Sequence, residues 1–180
     1  MFKVLENGKM PTRGSKYSAC VDLYASEDVI IGAGETVMVG LGVCVDIDWN
    51  VIDYNFNSYI KREQDRIKSN FLNSHYLQLM LRSSLGKKGL IIPNGVGVID
   101  LDYKDEIKVL IHNPVYMTWA DEHINTESGL VYNLSDGKDF KINKGDRIAQ
   151  ITLLEHKSYL FGIGSDEVRD GGFGSTGEVQ

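Results

Sequence analysis

Along most of the chain, short runs either alternate apolar with polar residues or are dense in valine and isoleucine: residues 29–31, 36–45, 76–81, 106–112, 140–142 and 148–154. A period of two puts successive side chains on opposite faces of a pleated strand, so one face of each run meets a core and the other meets water. Turn-forming residues punctuate the runs at the short spacing of an antiparallel sandwich or barrel. Glycine is abundant and proline scarce, which suits tight turns between uninterrupted ladders. The pattern predicts an all-β, single-domain protein.

Two segments break the rhythm. Within residues 49–74, the stretch SYIKREQDRIKSNFLNS is charged, with Ile60, Ile67 and Phe71 spaced to share one helical face and Asn57 or Ser58 placed to cap its start. This predicts a short amphipathic helix inserted between two strands and docked on its own barrel; the alternative use is a surface for a protein partner or an active-site cover. Residues 114–132, PVYMTWADEHINTESGLVY, lack a clean period and read as an extended loop with room for a short hairpin. Loops of this length in compact domains tend to be functional or mobile. Trp119 and His123 within it have no visible partner and receive no role. The end of the chain, DGGFGSTGEVQ, is too rich in glycine to hold a fixed strand, so a flexible tail over residues 169–180 is expected beyond a domain of residues 1–168.

Residues 95–106, GVGVIDLDYKDE, concentrate chemistry in a strand-and-turn segment. Alternation puts Val98, Asp100 and Asp102 on one face and Ile99, Leu101 and Tyr103 on the other. Asp100 then sits near backbone that Gly95 and Gly97 leave open to close approach. A carboxylate so placed suits a general base, and Tyr103 suits a wall for a small substrate. The alternative puts Asp100 and Asp102 on the wet face of a hairpin turning at residues 102–105.

Composition narrows the classes. A chain of 180 residues fits one domain with a sizeable core. A net charge of −6 and a pI near 5.2, with no basic stripe, exclude a general nucleic-acid binder but leave room for a small phosphorylated ligand. MFKVLENGKMP has no apolar leader core and no run approaches a membrane span, so a soluble, cytoplasmic protein without a membrane partner is expected. Cys20 and Cys44 lack CxxC spacing and read as buried thiols. The four histidines, His75, His112, His123 and His156, lack zinc-site spacing.

Two further segments carry phosphate chemistry. Arg82-Ser83-Ser84-Leu85-Gly86 offers a guanidinium, two hydroxyls and a pliant backbone, against the plainer reading of an exposed polar turn. It is no Walker loop, because GKK is followed by neither serine nor threonine. The tail from Arg169 to Gly177 combines a cation, glycines, two hydroxyls and Phe173, which suits wrapping a phosphate chain and stacking on a base; a disordered terminus is the competing reading. GDRIAQ, residues 145–150, reads as a turn feeding a strand, with Gln150 able to reach a ligand.

Together these segments resemble the homotrimeric dUTPase (dUTP diphosphatase) family, in that family's order of five motifs: SACVDLYAS at 18–26, RSSLGKKG at 82–89, NGVGVIDLDYKDE at 94–106, GDRIAQ at 145–150 and GGFGSTG at 171–177. The resemblance covers most of the chain apart from the two insertions. It implies a distorted jelly-roll-type β-barrel and Mg²⁺-dependent hydrolysis of dUTP to dUMP and pyrophosphate, limiting uracil in DNA and supplying dUMP for thymidylate synthesis. It further implies a homotrimer whose three sites each borrow motifs from all subunits.

The resemblance also implies roles. Asp100 would contact the 3′-hydroxyl and activate the attacking water, and Tyr103 would pack under the sugar and exclude a 2′-hydroxyl. Backbone around Asn94, Gly97, Val98 and Ile99 would read uracil, in a slot too tight for thymine's methyl. Arg82, Ser83, Ser84 and Gln150 would hold phosphates and water, and Lys108 would line the pocket. Asp22 would reach, through water, a Mg²⁺ carried by the triphosphate. The tail would close over the nucleotide, with Phe173 on uracil and Arg169, Gly174, Ser175 and Thr176 near the phosphates.

Three departures stand out. Cys20-Val21 replaces the family's glycine and following apolar or aromatic residue, Asp105 replaces a turn glycine, and Arg169 lies four residues before Phe173 rather than five. The rivals are a dCTP deaminase-like relative, which needs a glutamate where this chain has Leu110, and a partner-binding regulator on the same scaffold.

Overall fold

The structure, a computed structural model, describes residues 1–115, 117–119, 132–134 and 137–164. Among these the chain forms, in order, β1 (Phe2–Val4), β2 (Thr12–Arg13), β3 (Val21–Tyr24), β4 (Val29–Ile31), β5 (Thr36–Gly40), β6 (Val43–Val45), α1 (Trp49–Ile52), α2 (Lys61–Leu72), β7 (His75–Leu81), α3 (Ser83–Gly86), β8 (Gly97–Asp100), β9 (Lys108–His112), β10 (Met117–Trp119), β11 (Tyr132–Leu134), β12 (Phe140–Ile142) and β13 (Arg147–Glu155). The expected all-β character holds, with a few short helices.

The largest sheet is antiparallel, in the order β2-β3-β13-β7-β8; the other strands pair as β1-β6, β4-β12, β5-β9 and β10-β11. β13 is its spine, bonded to β7 from Ala149↔Leu81 through Glu155↔His75 and to β3 near Asp22. Alternation decides what each strand buries. Leu77 and Leu79 of β7, Ile151 of β13, Val109 and Ile111 of β9 and Leu23 of β3 all point into one continuous core. Burying each aliphatic side chain contributes about 1.5–3 kcal/mol, so this shared cluster holds the sheets together.

The apolar run at 36–45 is two strands, because Leu41 and Gly42 turn the chain between β5 and β6. Gly42 has φ +64°, and a Cβ there would stand 2.2 Å from Gly8 Cα, so neither its conformation nor its packing admits a side chain. Cys44 is buried as expected; Cys20 is only half-buried, since it sits at the entry to β3 rather than within it.

The first insertion is helical, but not with the expected cap. Asn57 and Ser58 lie in a separate 3-10 turn, Phe56–Ser58, and α2 begins at Lys61 with Ile60 in the cap position. Ile60 is extended, at φ −65° and ψ 154°, and 75% exposed, so it does not join the stripe of Ile67 and Phe71. Gln64 Nε2 ties the helix start instead, donating to the carbonyls of Phe56 and Tyr59 at 3.1 Å each. The insertion docks through aromatic rings. Trp49 stacks on Phe56 at 5.8 Å and meets Phe71 edge-on at 6.0 Å, and Phe71 stacks on His75 of β7 at 4.2 Å. β10, in the second insertion, pairs antiparallel with β11 from Met117↔Leu134 to Trp119↔Tyr132, so the expected strand pair forms but extends two residues past the segment's end at Tyr132.

Phe71 therefore fixes the insertion, and Ile60 does not. Phe71→Ala is expected to lower unfolding free energy by about 2 kcal/mol, half the usual core value because the ring is half-buried. Ile60→Ala is expected to change it by less than about 0.5 kcal/mol. Urea unfolding midpoints of the two variants check the contrast.

Candidate functional site

Asp22 is the one charged side chain in the buried class among the described residues, at 8% exposure. Two arginines meet it. Arg82 Nε lies 3.0 Å from Oδ1, and an Arg147 guanidinium nitrogen lies 3.3 Å from Oδ2. Arg82 follows β7, and its N–H donates to the Ile148 carbonyl at 3.0 Å, which pins the residue beside β13. Buried Leu85 then anchors the single turn of α3 and leaves Ser83 and Ser84 exposed next to the guanidinium. Gln150 faces Asp22 directly across the β13–β3 ladder. Two cations against one anion leave this corner locally positive in a protein of net charge −6.

Arg147 was not singled out from the sequence. Strict alternation puts residues 147 and 150 on opposite faces, yet the register shifts between Arg147 and Ala149, which oppose Tyr24 and Leu23 in turn. That bulge places an extra residue on β13 and re-aims Arg147 onto the face of Asp22 and Gln150. The signal that was available is the bare presence of an arginine three residues before Gln150.

The second group of residues lies on β8, at one edge of the large sheet. Alternation holds as expected: Val98, Asp100 and Asp102 are exposed, while Ile99, Leu101 and Tyr103 are buried at 8%, 2% and 7%. Gly97 lets the strand lie close on β7, since a Cβ there would meet Leu79 Cβ at 3.0 Å. Gly95, at φ +78°, closes the turn that precedes it, and exposed Asn94 donates through Nδ2 to the Val96 carbonyl at 3.3 Å. Asp100 and Asp102 are on the wet side, as the hairpin alternative had them, but the hairpin itself is corrected. β8 pairs with β7 and β9 pairs with β5, so the two do not form a ladder with each other. The strand ends at Asp100, and the Tyr103 N–H donates to the Asp100 carbonyl at 3.1 Å, closing a turn that brings these two residues near each other. Lys108 is half-buried on β9 opposite Gly40.

One chain does not bring the two groups together. Asp100 pairs with Tyr76, four residues along β7 from the Met80 that faces Gln150, and β8 lies three strands from β3. At about 4.8 Å between strands and about 3.3 Å per residue, Asp22 and Asp100 stand on the order of 20 Å apart. Arg169, Phe173, Gly174, Ser175 and Thr176 lie outside the described residues. Among the described residues no group of three or more histidine, cysteine or acidic side chains is arranged to hold a metal ion, and no helix is long and apolar enough to cross a membrane.

No protein-family model matches the chain. It is 32% identical over 184 residues to the deoxyuridine 5′-triphosphate nucleotidohydrolase of Debaryomyces hansenii, an alignment covering 99% of this chain and 86% of that protein. It is 30% identical to the Rickettsia akari protein of the same name, covering 98% of this chain and 95% of that one. Among solved structures, the dUTPase from phage phi11 of S. aureus superposes with a TM-score of 0.56 at 22% identity, covering 97% of both chains. A mutant of that phage enzyme coordinates a structural Mg(II) ion. The Streptococcus mutans dUTPase gives a TM-score of 0.53 at 22% identity, covering 86% of this chain and 94% of that one. The structural likeness carries the fold, and sequence identity near 30% over almost the whole length carries the kinship: the chain belongs to the deoxyuridine 5′-triphosphate nucleotidohydrolase (dUTPase) family.

Proposed function

We propose that this protein hydrolyses dUTP to dUMP and pyrophosphate, in sites completed between the subunits of a homotrimer. The observation that carries the reading is the pairing of Arg82 and Arg147 on buried Asp22, with Gln150 opposite and exposed Ser83 and Ser84 following Arg82 in the chain. This is a fixed cluster of donors for a polyphosphate, in a chain whose relatives bear the dUTP nucleotidohydrolase name. The separation of about 20 Å between Asp22 and Asp100 supports sharing between subunits, because one phosphate chain is too short for both to act on it within one chain.

In this reading β8 takes the nucleoside. Among the described residues it is an edge strand, so the outward backbone groups of Gly97, Val98 and Ile99 can pair with uracil as a neighbouring strand would, with Asn94 in the turn that precedes them. Tyr103 packs beneath the deoxyribose, and Lys108 lines the pocket. Asp100 accepts a proton from water as the water oxygen bonds to the α-phosphorus. The bond from that phosphorus to the bridging oxygen breaks, and pyrophosphate departs with the electron pair. Arg82, Arg147, Ser83, Ser84 and Gln150 hold the charge that develops on the departing group. Arg169, Phe173, Gly174, Ser175 and Thr176 close over the nucleotide and exclude bulk water.

The donor set fits Mg²⁺ that arrives on the triphosphate better than a protein-built metal cage. Mg²⁺ is commonly held by one or two carboxylates plus substrate phosphates. Asp22 has oxygen lone pairs beyond the two that its guanidinium partners occupy, enough for contact through water. The ion when bound supplies neutralisation of phosphate charge.

Purified protein incubated with dUTP, dTTP, dCTP and UTP is expected to release pyrophosphate from dUTP alone. Ammonia from dCTP would establish a deaminase instead, and inertness toward all four would establish a binding scaffold. Asp100→Asn is expected to cut kcat at least about 100-fold while dUTP affinity stays within about tenfold; an equal loss of both would make Asp100 structural. Asp22→Asn is expected to cost about 1–2 kcal/mol of stability, less than a fully buried pair because the arginines are partly solvated. The same variant should raise KM for dUTP by about tenfold, because both guanidinium groups lose their anchor. Urea unfolding and steady-state kinetics read the two effects separately.

A further inference from the structure

We infer that Glu106 is a positioning residue that sets the sugar selectivity of the site by holding Tyr103 rigid. The inference rests on the reading above, in which Tyr103 packs beneath deoxyribose. Glu106 joins three segments. Its Oε1 accepts the Gly42 N–H at 2.7 Å and the Ser26 hydroxyl at 3.1 Å, while its own backbone carbonyl accepts the Tyr103 hydroxyl at 3.3 Å. Ser26 ends the segment that carries Asp22, and Gly42 sits in the turn between β5 and β6. One residue thus grips the phenol with its main chain and clamps itself to two neighbouring elements with its side chain.

The surrounding glycines make room for the carboxylate. A Cβ on Gly40 would stand 2.6 Å from Glu106 Oε1 and 2.6 Å from Ser26 Oγ, so the pocket for this pair exists only because residue 40 has no side chain. Gly42 donates its N–H from the left-handed region at φ +64°. Beside these bonds, the Leu41 N–H donates to the Ile107 carbonyl at 3.0 Å and the Ile107 N–H donates to the Val43 carbonyl at 2.8 Å. Those backbone bonds survive loss of the Glu106 side chain. The Ile107 N–H shares its planar peptide unit with the Glu106 carbonyl, so the carboxylate is dispensable for attaching the segment and adds two side-chain bonds to the one backbone bond that places that carbonyl.

Rejecting a ribose means rejecting a single added oxygen, which a yielding pocket does poorly and an unyielding wall does well. Tyr103 is 7% exposed with its ring in the core, and the bond from its hydroxyl to the Glu106 carbonyl is one of the restraints on how far the ring can retreat. A Glu106 freed from Gly42 and Ser26 leaves that peptide unit on the Ile107–Val43 bond alone, so the carbonyl, and the ring it holds, yield more readily to a 2′-hydroxyl.

The test compares kcat/KM for dUTP and UTP in the full-length trimer. Glu106→Ala is expected to lower the preference for dUTP by about tenfold or more, mainly through faster UTP hydrolysis. Glu106→Gln keeps an Oε1 acceptor for both bonds and is expected to stay within about threefold of wild type. Ser26→Ala removes one of the two bonds and is expected to lower the preference by about threefold, which keeps the test available if Glu106→Ala does not fold. A merely structural role would lower stability and dUTP turnover while leaving the ratio untouched. Wild-type protein that does not hydrolyse dUTP would overturn the proposed function and this inference with it. Wild-type activity on dUTP, with an unchanged ratio in Glu106→Ala or in Ser26→Ala, would overturn this inference alone.

Discussion

The ladder on both edges of β13 is the interaction on which the other features depend. Seven consecutive pairs tie it to β7, and its opposite edge meets β3 at Asp22. Because Ile148, Ala149 and Ile151 are buried along it, a slip of one residue would turn its apolar face to water and carry Gln150 away from Asp22. The core thus enforces the register that assembles the residues proposed to face phosphate. The same ladder fixes Arg82, whose N–H is bonded to Ile148. Packing and prospective chemistry share one set of backbone hydrogen bonds.

Asp22 shows how a sheet can hold charge inside. A lone carboxylate at that depth would cost several kcal/mol, and two guanidinium partners offset the cost. The arrangement also stores a bias. The arginines are gathered before any ligand arrives, so less side-chain entropy remains to be lost when an anion binds. A similar economy holds at Glu106, where one carboxylate and one carbonyl serve three segments.

Much of this was legible in the sequence where a period controls the outcome. The strands at 29–31 and 140–142 match their apolar runs residue for residue, and the alternation from Val98 to Tyr103 sorts exposed from buried side chains as read. The family motifs were legible as ordered residue types. Illegible were the features that break a period. The bulge before Ala149 reverses the parity that hid Arg147, and the turn at Gly42 divides a continuous apolar run. The cap of α2 departs from the expected one because Asn57 and Ser58, good capping residues by type, are engaged in a separate turn three and two residues before the cap position. Long-range pairs such as Ser26 with Glu106 have no local signature at all, being fixed only by how the sheets meet.

The open edge at β8 has a consequence for how this protein survives in a crowded solution. Among the described residues no strand lies outside β8, and an edge strand is a template for any extended chain that drifts past; Val98 stands 60% exposed upon it. The strand is only four residues long and ends in a carboxylate, Asp100, with Asp102 just beyond it. Shortness and terminal negative charge are the ordinary defences of an edge against aggregation. The carboxylate proposed to activate water therefore also guards solubility, and a neutral substitution there removes a barrier to self-association as well as a base.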